Sequence, residues 1–117
     1  MLFVNKKMKQ TPQNINNLLT AFKMDLQNLY HERLAELILF GSYSRNDARE
    51  NSDIDLLLVL NDKQLLPYKE IDFTNDLVFN YMLLYEKQIS IVPTTQQHFE
   101  QDENPLFLNI RKEGIYL

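Results

Sequence analysis

Gly41-Ser42-Tyr43-Ser44-Arg45 and Ser52-Asp53-Ile54-Asp55-Leu56 are the two stretches of this 117-residue sequence that decide its fold and its chemistry. The apolar run 37–40 leads into the first stretch, and the apolar run 56–60 continues the second. Continuous apolar runs of this length are typical of strands that are buried on both faces. The sequence therefore predicts two buried strands that are joined through a small-residue turn and a short polar segment.

The two aspartates of the second stretch stand two positions apart. Because side chains alternate between the two faces of a strand, Asp53 and Asp55 should point to the same face. Carboxylate oxygens are ligands that Mg²⁺ prefers, and Mg²⁺ completes its shell with water and substrate phosphates. We expect the two acids to face a cavity shared with the glycine-serine corner, where they would hold a metal and a nucleotide.

The turn between the strands has the composition of an anion site. Backbone N–H groups near Gly41 and the hydroxyl of Ser42 stand where a helix is expected to begin, a position that favours phosphate. Arg45 follows one turn later, where its cation would neutralise a triphosphate. Each residue alone has a plainer explanation as a turn, cap or surface residue. Their combination with the Asp-x-Asp pattern before a second buried strand favours the nucleotide site.

Helical periodicity predicts the elements around these stretches. Apolar residues recur at helical spacing from Ile15 to Leu29, which predicts a first helix over residues 12–30 that starts at Thr11-Pro12. Further helices are expected from Ser42 to about residue 49, over 67–85, over 95–99 and over 105–112. The inner face of the long helix 67–85 should carry Ile71, Thr74, either Leu77 or Val78, either Tyr81 or Met82, and Tyr85.

Strands are expected over residues 35–40, 53–60 and 88–92, and Pro93 should stop the last of them. Asn46 stands where the backbone is expected to be left-handed, Gly114 suits a helix cap, and residues 115–117 either form an edge strand or pack down. The order of elements is α-β-α-β-α-β-α. Residues 1–10 are expected to be a flexible lead-in, and residues 11–117 a single domain.

Composition excludes several classes of site. The chain has no cysteine and two histidines, so it offers no disulfide framework, no thiolate nucleophile and little support for a histidine-rich metal centre. A net charge of −4 argues against stable nucleic-acid binding by bulk electrostatics. No apolar run reaches the roughly 20 residues that a membrane-spanning helix needs, and the N-terminal pattern is not that of a secretory signal. We expect a cytoplasmic protein.

The segment from Gly41-Ser42 to Asp53-Ile54-Asp55-Leu56 resembles the signature of the polymerase-beta-type nucleotidyltransferases, specifically their minimal nucleotidyltransferase branch. The likeness extends over the proline-led helix, the third strand and the ending Asn109-Ile110-Arg111-Lys112-Glu113-Gly114. It implies an α+β fold with α/β-like alternation, in which helices flank a small mixed sheet.

By this resemblance, Gly41, Ser42 and Arg45 would bind the nucleotide, and Asp53 and Asp55 would be the catalytic residues that hold Mg²⁺. The reaction would transfer a nucleoside monophosphate, AMP from ATP, to a hydroxyl with release of pyrophosphate. Members of the branch act as antitoxins, with a separately encoded HEPN-family ribonuclease toxin as partner and acceptor. Homo-oligomers and hetero-oligomers both remain open.

One position departs from the family pattern. Fuller members of the superfamily carry a third carboxylate on the third strand, where this sequence has Ser90. A neutral serine does not act as a carboxylate base. The sequence therefore leaves a second hypothesis open, in which the chain neutralises a HEPN-type toxin by binding, with weak catalysis or none. A third hypothesis is an unrelated small α/β module whose acids match by chance.

Overall fold

A computed structural model describes residues 15–117. Its helices are α1 (Asn16–Tyr30), α2 (Pro67–Tyr85), α3 (Gln96–Gln101) and α4 (Pro105–Glu113), and its strands are β1 (Leu34–Phe40), β2 (Ile54–Leu60), β3 (Ile89–Thr95) and β4 (Ile115–Tyr116). The expected lead-in 1–10 and the Thr11-Pro12 helix start lie outside the described residues.

The four strands form one sheet in the order β3-β2-β1-β4. β1 is antiparallel to both β2 and β4, whereas β2 and β3 are parallel. The sheet is therefore mixed, and the expected fold class is confirmed. The alternative of an edge strand at the C-terminus is also the one observed, because β4 pairs with β1.

Helices cover both faces of the sheet. Even-numbered residues of β2 pack with α1 and Tyr81 of α2 in the larger core cluster, while Leu57 and Val59 pack with Phe99 of α3 and Phe107 of α4 in the smaller one. This burial on both faces is what the continuous apolar runs predicted. It also assigns Asp55 to the face of β2 that carries Leu57, on the side of α3 and α4.

The face of helix α2 that packs against the core differs from the expected one. Ile71 is 45% exposed, and the neighbouring Glu70 is buried instead. Its carboxylate accepts hydrogen bonds from the hydroxyl of Tyr30 and the guanidinium of Arg33, each at 3.0 Å. The inner-face assignment of Ile71 was wrong because a paired carboxylate is stable in the interior, and periodicity alone does not reveal its partners.

The third strand does not stop at Pro93, as the sequence predicted, but continues to Thr95. Proline is tolerated there because β3 lies at the edge of the sheet, where no strand among residues 15–117 lies on its outer side to accept a hydrogen bond from an N–H group. The following helix starts as expected, since Thr95 accepts a hydrogen bond from the backbone N–H of His98.

Candidate functional site

The antiparallel pairing of β1 and β2 brings the glycine-serine corner next to the aspartates. Phe40, the last residue of β1, pairs with Asp55. A Cβ atom added to Gly41 would lie 2.3 Å from Oδ2 of Asp55, and the φ angle of Gly41 is +78°. Any other residue at position 41 would therefore be strained and would displace the carboxylate. Glycine lets the Asp55 carboxylate lie directly against the backbone of the turn.

The turn after β1 is short and is fixed by one buried side chain and one hydrogen bond. Gly41–Tyr43 forms a single 3₁₀ turn, and the side chain of Tyr43 is buried in the larger core cluster. The hydroxyl of Ser44 donates to the carbonyl oxygen of Gly41 at 2.9 Å. These contacts fix the backbone at Ser42, which is half-buried at the start of the turn.

The helix expected from Ser42 to about residue 49 is not formed. Asn46 has a φ angle of +61°, as the sequence predicted for this position, and a left-handed residue ends a helical turn. The backbone N–H of Asp47 donates to the carbonyl oxygen of Ser42 at 3.0 Å, which closes the loop. The helix prediction failed because it extended through the residue whose left-handed conformation terminates it.

Asp55 and Ser90 share one face of the sheet, and Asp53 comes just before β2. Asp53 is exposed immediately before β2, and Asp55 is partly buried two residues later. Ser90 on β3 pairs directly with Asp55 and is exposed. Paired residues of parallel strands point to the same side, so Ser90 lies beside the Asp55 carboxylate. Position 90, where the family resemblance would put a third carboxylate, is therefore next to Asp55.

Burial and a neighbouring carboxylate both disfavour the charged form of Asp55. Burial, and next the negative charge of Asp53, raise the pKa of the Asp55 carboxyl, while the cation of Arg45 lowers it. Arg45 is itself half-exposed, with its Nε atom 3.5 Å from Oδ2 of Asp47. A bound cation would relieve the repulsion between the two aspartates.

The residues present fit a hard divalent cation only in part. Asp53 and Asp55 offer carboxylate oxygens of the kind that Mg²⁺ prefers. Within residues 15–117, no group of three His, Cys, Asp or Glu side chains is arranged to hold a metal ion. A metal at the pair would therefore need water and substrate phosphate oxygens to complete its shell.

A cleft of about 210 Å³ opens between the glycine-serine corner and α4. Its walls include Phe40, Arg45, Leu106, Asn109 and Glu113. The sequence interpretation assigned no site role to these residues of α4. The available signal was their helical spacing, since residues 106, 109 and 113 lie on one side of a helix.

A larger cleft, of about 570 Å³, lies at the opposite end of β2 and β3. It is lined by Lys63, Thr95, His98 and Gln101 among others, and no carboxylate is found among its described lining residues. None of the side chains that the sequence singled out as site residues lies there.

In the described part of the chain, no helix is long and apolar enough to cross a membrane.

The sequence is similar to a known protein family and to individual proteins. The profile of the nucleotidyltransferase domain family matches residues 16–112. A Methanocaldococcus jannaschii protein that bears the name of a protein adenylyltransferase is 31% identical over 105 residues, which cover 89% of this chain and 98% of the relative. Protein adenylyltransferase MntA of Thermococcus cleftensis is 42% identical over 48 residues, covering 41% of this chain and 46% of that protein.

Solved structures share the fold. A crystal structure of a toxin–antitoxin with AMP-PNP aligns with a TM-score of 0.58 at 20% identity, covering 82% of this chain and 69% of the other. A nucleotidyltransferase structure from Sulfolobus solfataricus aligns with a TM-score of 0.57 at 15% identity, covering 93% and 89%. The chain belongs to the nucleotidyltransferase domain family, in the minimal nucleotidyltransferase branch whose signature the Gly41-Ser42 corner and the Asp53-x-Asp55 pair carry.

Proposed function

We propose that this protein transfers AMP from ATP to a hydroxyl group of a partner protein, with Mg²⁺ bound at Asp53 and Asp55. The partner would be a HEPN-family toxin, and the transfer would make this chain its antitoxin. The observation that supports the proposal most strongly is the contact between the Asp55 carboxylate and the Gly41 backbone. It joins the two halves of the signature, the metal ligands and the phosphate-binding turn, in one place.

Each residue has a defined part in this reaction. Asp53 and Asp55 would hold Mg²⁺, which when bound would neutralise phosphate charge during the transfer. The backbone at Gly41 and Ser42 would bind the phosphates, and Arg45 would neutralise the triphosphate tail. The acceptor hydroxyl oxygen bonds to the α-phosphorus, the bond from that phosphorus to the bridging oxygen breaks, and pyrophosphate leaves.

The proton of the acceptor hydroxyl must leave during this step. Ser90 stands beside Asp55 at the place where a carboxylate would receive that proton, and a serine does not act as a base at neutral pH. Because Ser90 is exposed, water reaches this side of the site and would take the proton. The expected consequence is a slow transferase whose nucleotide binding is intact.

The comparisons support the substrate and the partner. The relatives bear the names of protein adenylyltransferases, and the toxin–antitoxin structure with AMP-PNP shares the fold of this chain. A crystal structure of a toxin–antitoxin MntA-HpeT mutant also aligns, with a TM-score of 0.55 at 16% identity. The profile match over residues 16–112 supports treating residues 11–117 as one nucleotidyltransferase domain. We place the protein in the cytoplasm, where ATP and a ribonuclease toxin would both be found.

A second function is favoured by the serine at position 90. In this alternative the chain neutralises the toxin by forming a complex, and nucleotide binding contributes little or nothing. Ser90 supports it because the substitution removes a base from the reaction but leaves the surface of the fold unchanged.

Incubation with α-³²P-labelled ATP, Mg²⁺ and the protein encoded by the neighbouring reading frame separates the two functions. Transfer of label to that protein, lost in Asp53→Asn and retained in the far-cleft control Gln101→Ala, supports the transferase. A stable complex that suppresses the ribonuclease without transfer of label supports the alternative. If neither label transfer nor a complex is found, both functions are wrong for this partner.

A further inference from the structure

The cleft beside the glycine-serine corner combines a phosphate-binding edge, at Gly41 and Arg45, with a wall on α4 that suits a nucleoside. Phe40, Leu106 and Ile110 supply apolar surface, while Asn109 and Glu113 supply polar atoms. A carboxylate in the wall repels phosphate, but it accepts hydrogen bonds from sugar hydroxyls. The cleft therefore suits a flat, neutral, hydrogen-bonding group that is attached to phosphates at its edge.

The order of residues along α4 gives the cleft a direction. Glu113 is the last residue of α4 and is followed by Gly114, whose neighbour Ile115 pairs with Leu39 at the end of β1. Glu113 therefore lies at the end of the cleft nearest Gly41, and Asn109 and Leu106 follow at about 1.5 Å per residue away from it. A nucleotide whose phosphates lie at Gly41 would place its ribose near Glu113 and its base near Asn109.

Asn109 carries the chemistry that selects a base. Its side chain is exposed and makes no hydrogen bond to the rest of the described residues. A carboxamide offers one acceptor and one donor side by side, which matches the amino group and the ring N7 of adenine. The corresponding edge of guanine presents two acceptors and satisfies only the donor.

We propose that the cleft between the glycine-serine corner and α4 binds the nucleoside of the substrate, and that Asn109 makes it selective for adenine. The proposal rests on the proposed nucleotide chemistry at Asp53 and Asp55, and it adds a specificity-determining residue from a different element. Leu106 and Phe40 provide the apolar surface against which the base lies.

Titration calorimetry with the isolated chain and Mg²⁺ tests this inference separately from the proposed function. Inorganic tripolyphosphate probes the aspartates and the turn, because it has no base; ATP and GTP probe the cleft as well. We expect the wild-type chain to bind ATP about tenfold more tightly than GTP, a difference of the size expected for one two-point hydrogen-bonded contact. Asn109→Leu should lower ATP affinity about tenfold, abolish the preference over GTP, and leave tripolyphosphate affinity unchanged.

Gln101→Ala is the matched control, since it removes an exposed carboxamide that lines the far cleft. It should change none of the three affinities. If the wild-type chain binds tripolyphosphate and ATP but Asn109→Leu binds both nucleotides as before, the nucleoside assignment is wrong and the proposed function stands. If the wild-type chain binds neither tripolyphosphate nor ATP, the proposed function itself fails.

Discussion

The two ends of the sheet carry clefts of opposite character. The cleft at the far end of β2 and β3 is the larger, at about 570 Å³, and the described residues that line it include Lys63 and His98 but no carboxylate. The cleft beside Gly41 measures about 210 Å³, and its walls include the signature residues Gly41 and Arg45. The carboxylate of Asp55 lies close to Gly41. In this molecule, the size of a cavity does not indicate where the family signature lies.

Strand direction explains why the signature residues lie at this end of the sheet. In purely parallel sheets, ligands bind beyond the carboxyl ends of the strands. Here β1 runs opposite to β2, so the carboxyl end of β1 meets the amino ends of β2 and β3. The larger cleft occupies the place that the parallel-sheet rule would favour, and it lacks the acids.

Substitutions at the two ends of the sheet should differ most in their effect on the rate of label transfer. Asp55→Asn removes a negative charge from the proposed metal site, so label transfer from ATP should fall at least about 100-fold. Lys63→Ala at the far cleft should leave the transfer rate within about twofold of wild type, as surface changes far from a site usually do. Equal loss in both variants would show that the far end also takes part in the reaction.

A substitution at position 41 tests the close contact between the turn and the Asp55 carboxylate. Gly41→Ala would place a methyl group on the Asp55 carboxylate at a positive φ angle, and we expect about 1–2 kcal/mol of lost stability together with loss of ATP binding. Asn46→Ala is the control in the same turn, because Asn46 is also left-handed, and it should cost about 1 kcal/mol while ATP binding persists. Denaturant unfolding and calorimetry measure the two quantities. Intact ATP binding in Gly41→Ala would refute the role of this contact.

A carboxylate restored on the third strand should raise activity. Ser90→Asp would place an acid beside Asp55 on the same face, where it would accept the proton of the attacking hydroxyl. We expect the rate of label transfer to rise about tenfold or more, with the affinity for ATP changed far less. A rate that stays the same or falls would show that proton removal does not limit the wild-type protein.

The smallest effect concerns stability without divalent cations. Burial and the charge of Asp53 raise the pKa of Asp55 in the folded chain, so its contribution to stability is present at acid pH and is lost as the pH rises through the folded pKa. In EDTA at neutral pH, Asp55→Asn should therefore be slightly more stable than wild type. The difference should vanish once the pH falls below the ordinary aspartate pKa. Thermal unfolding at both pH values measures it, and a less stable variant at neutral pH would contradict this assignment of the pKa.

Local signals predicted most of the fold. Helix α2 has the bounds that Pro67 and the apolar spacing indicated, and α4 begins after Asn104, which accepts a hydrogen bond from the backbone N–H of Phe107. One failure was local, since the helix expected after Ser42 ends at the left-handed Asn46. The other two depended on neighbours that are distant in sequence. Glu70 is buried because of Tyr30 and Arg33. β3 continues through proline because it is an edge strand, which no local pattern reveals.

Part of the candidate site could be predicted from the sequence, and part of it could not. The pattern at residues 41–55 predicted which side chains would lie together, because one turn joins the two strands that carry them. The wall formed by α4 was missed, since Asn109 and Glu113 reach the corner only through the pairing of β4 with β1. Periodicity identified the helix but not the surface that it faces.

The antiparallel pairing of β1 with β2 has an evolutionary consequence. Gly41, Ser42, Asp53 and Asp55 all belong to one hairpin-like unit of consecutive sequence, whereas Ser90 arrives on a strand that follows a 19-residue helix. In the proposed transferase, substitutions in β3 would therefore change the rate of transfer while the hairpin-like unit continued to bind the nucleotide. A lineage could slow or restore its enzyme through a single codon at position 90, without rebuilding the part that recognises the substrate.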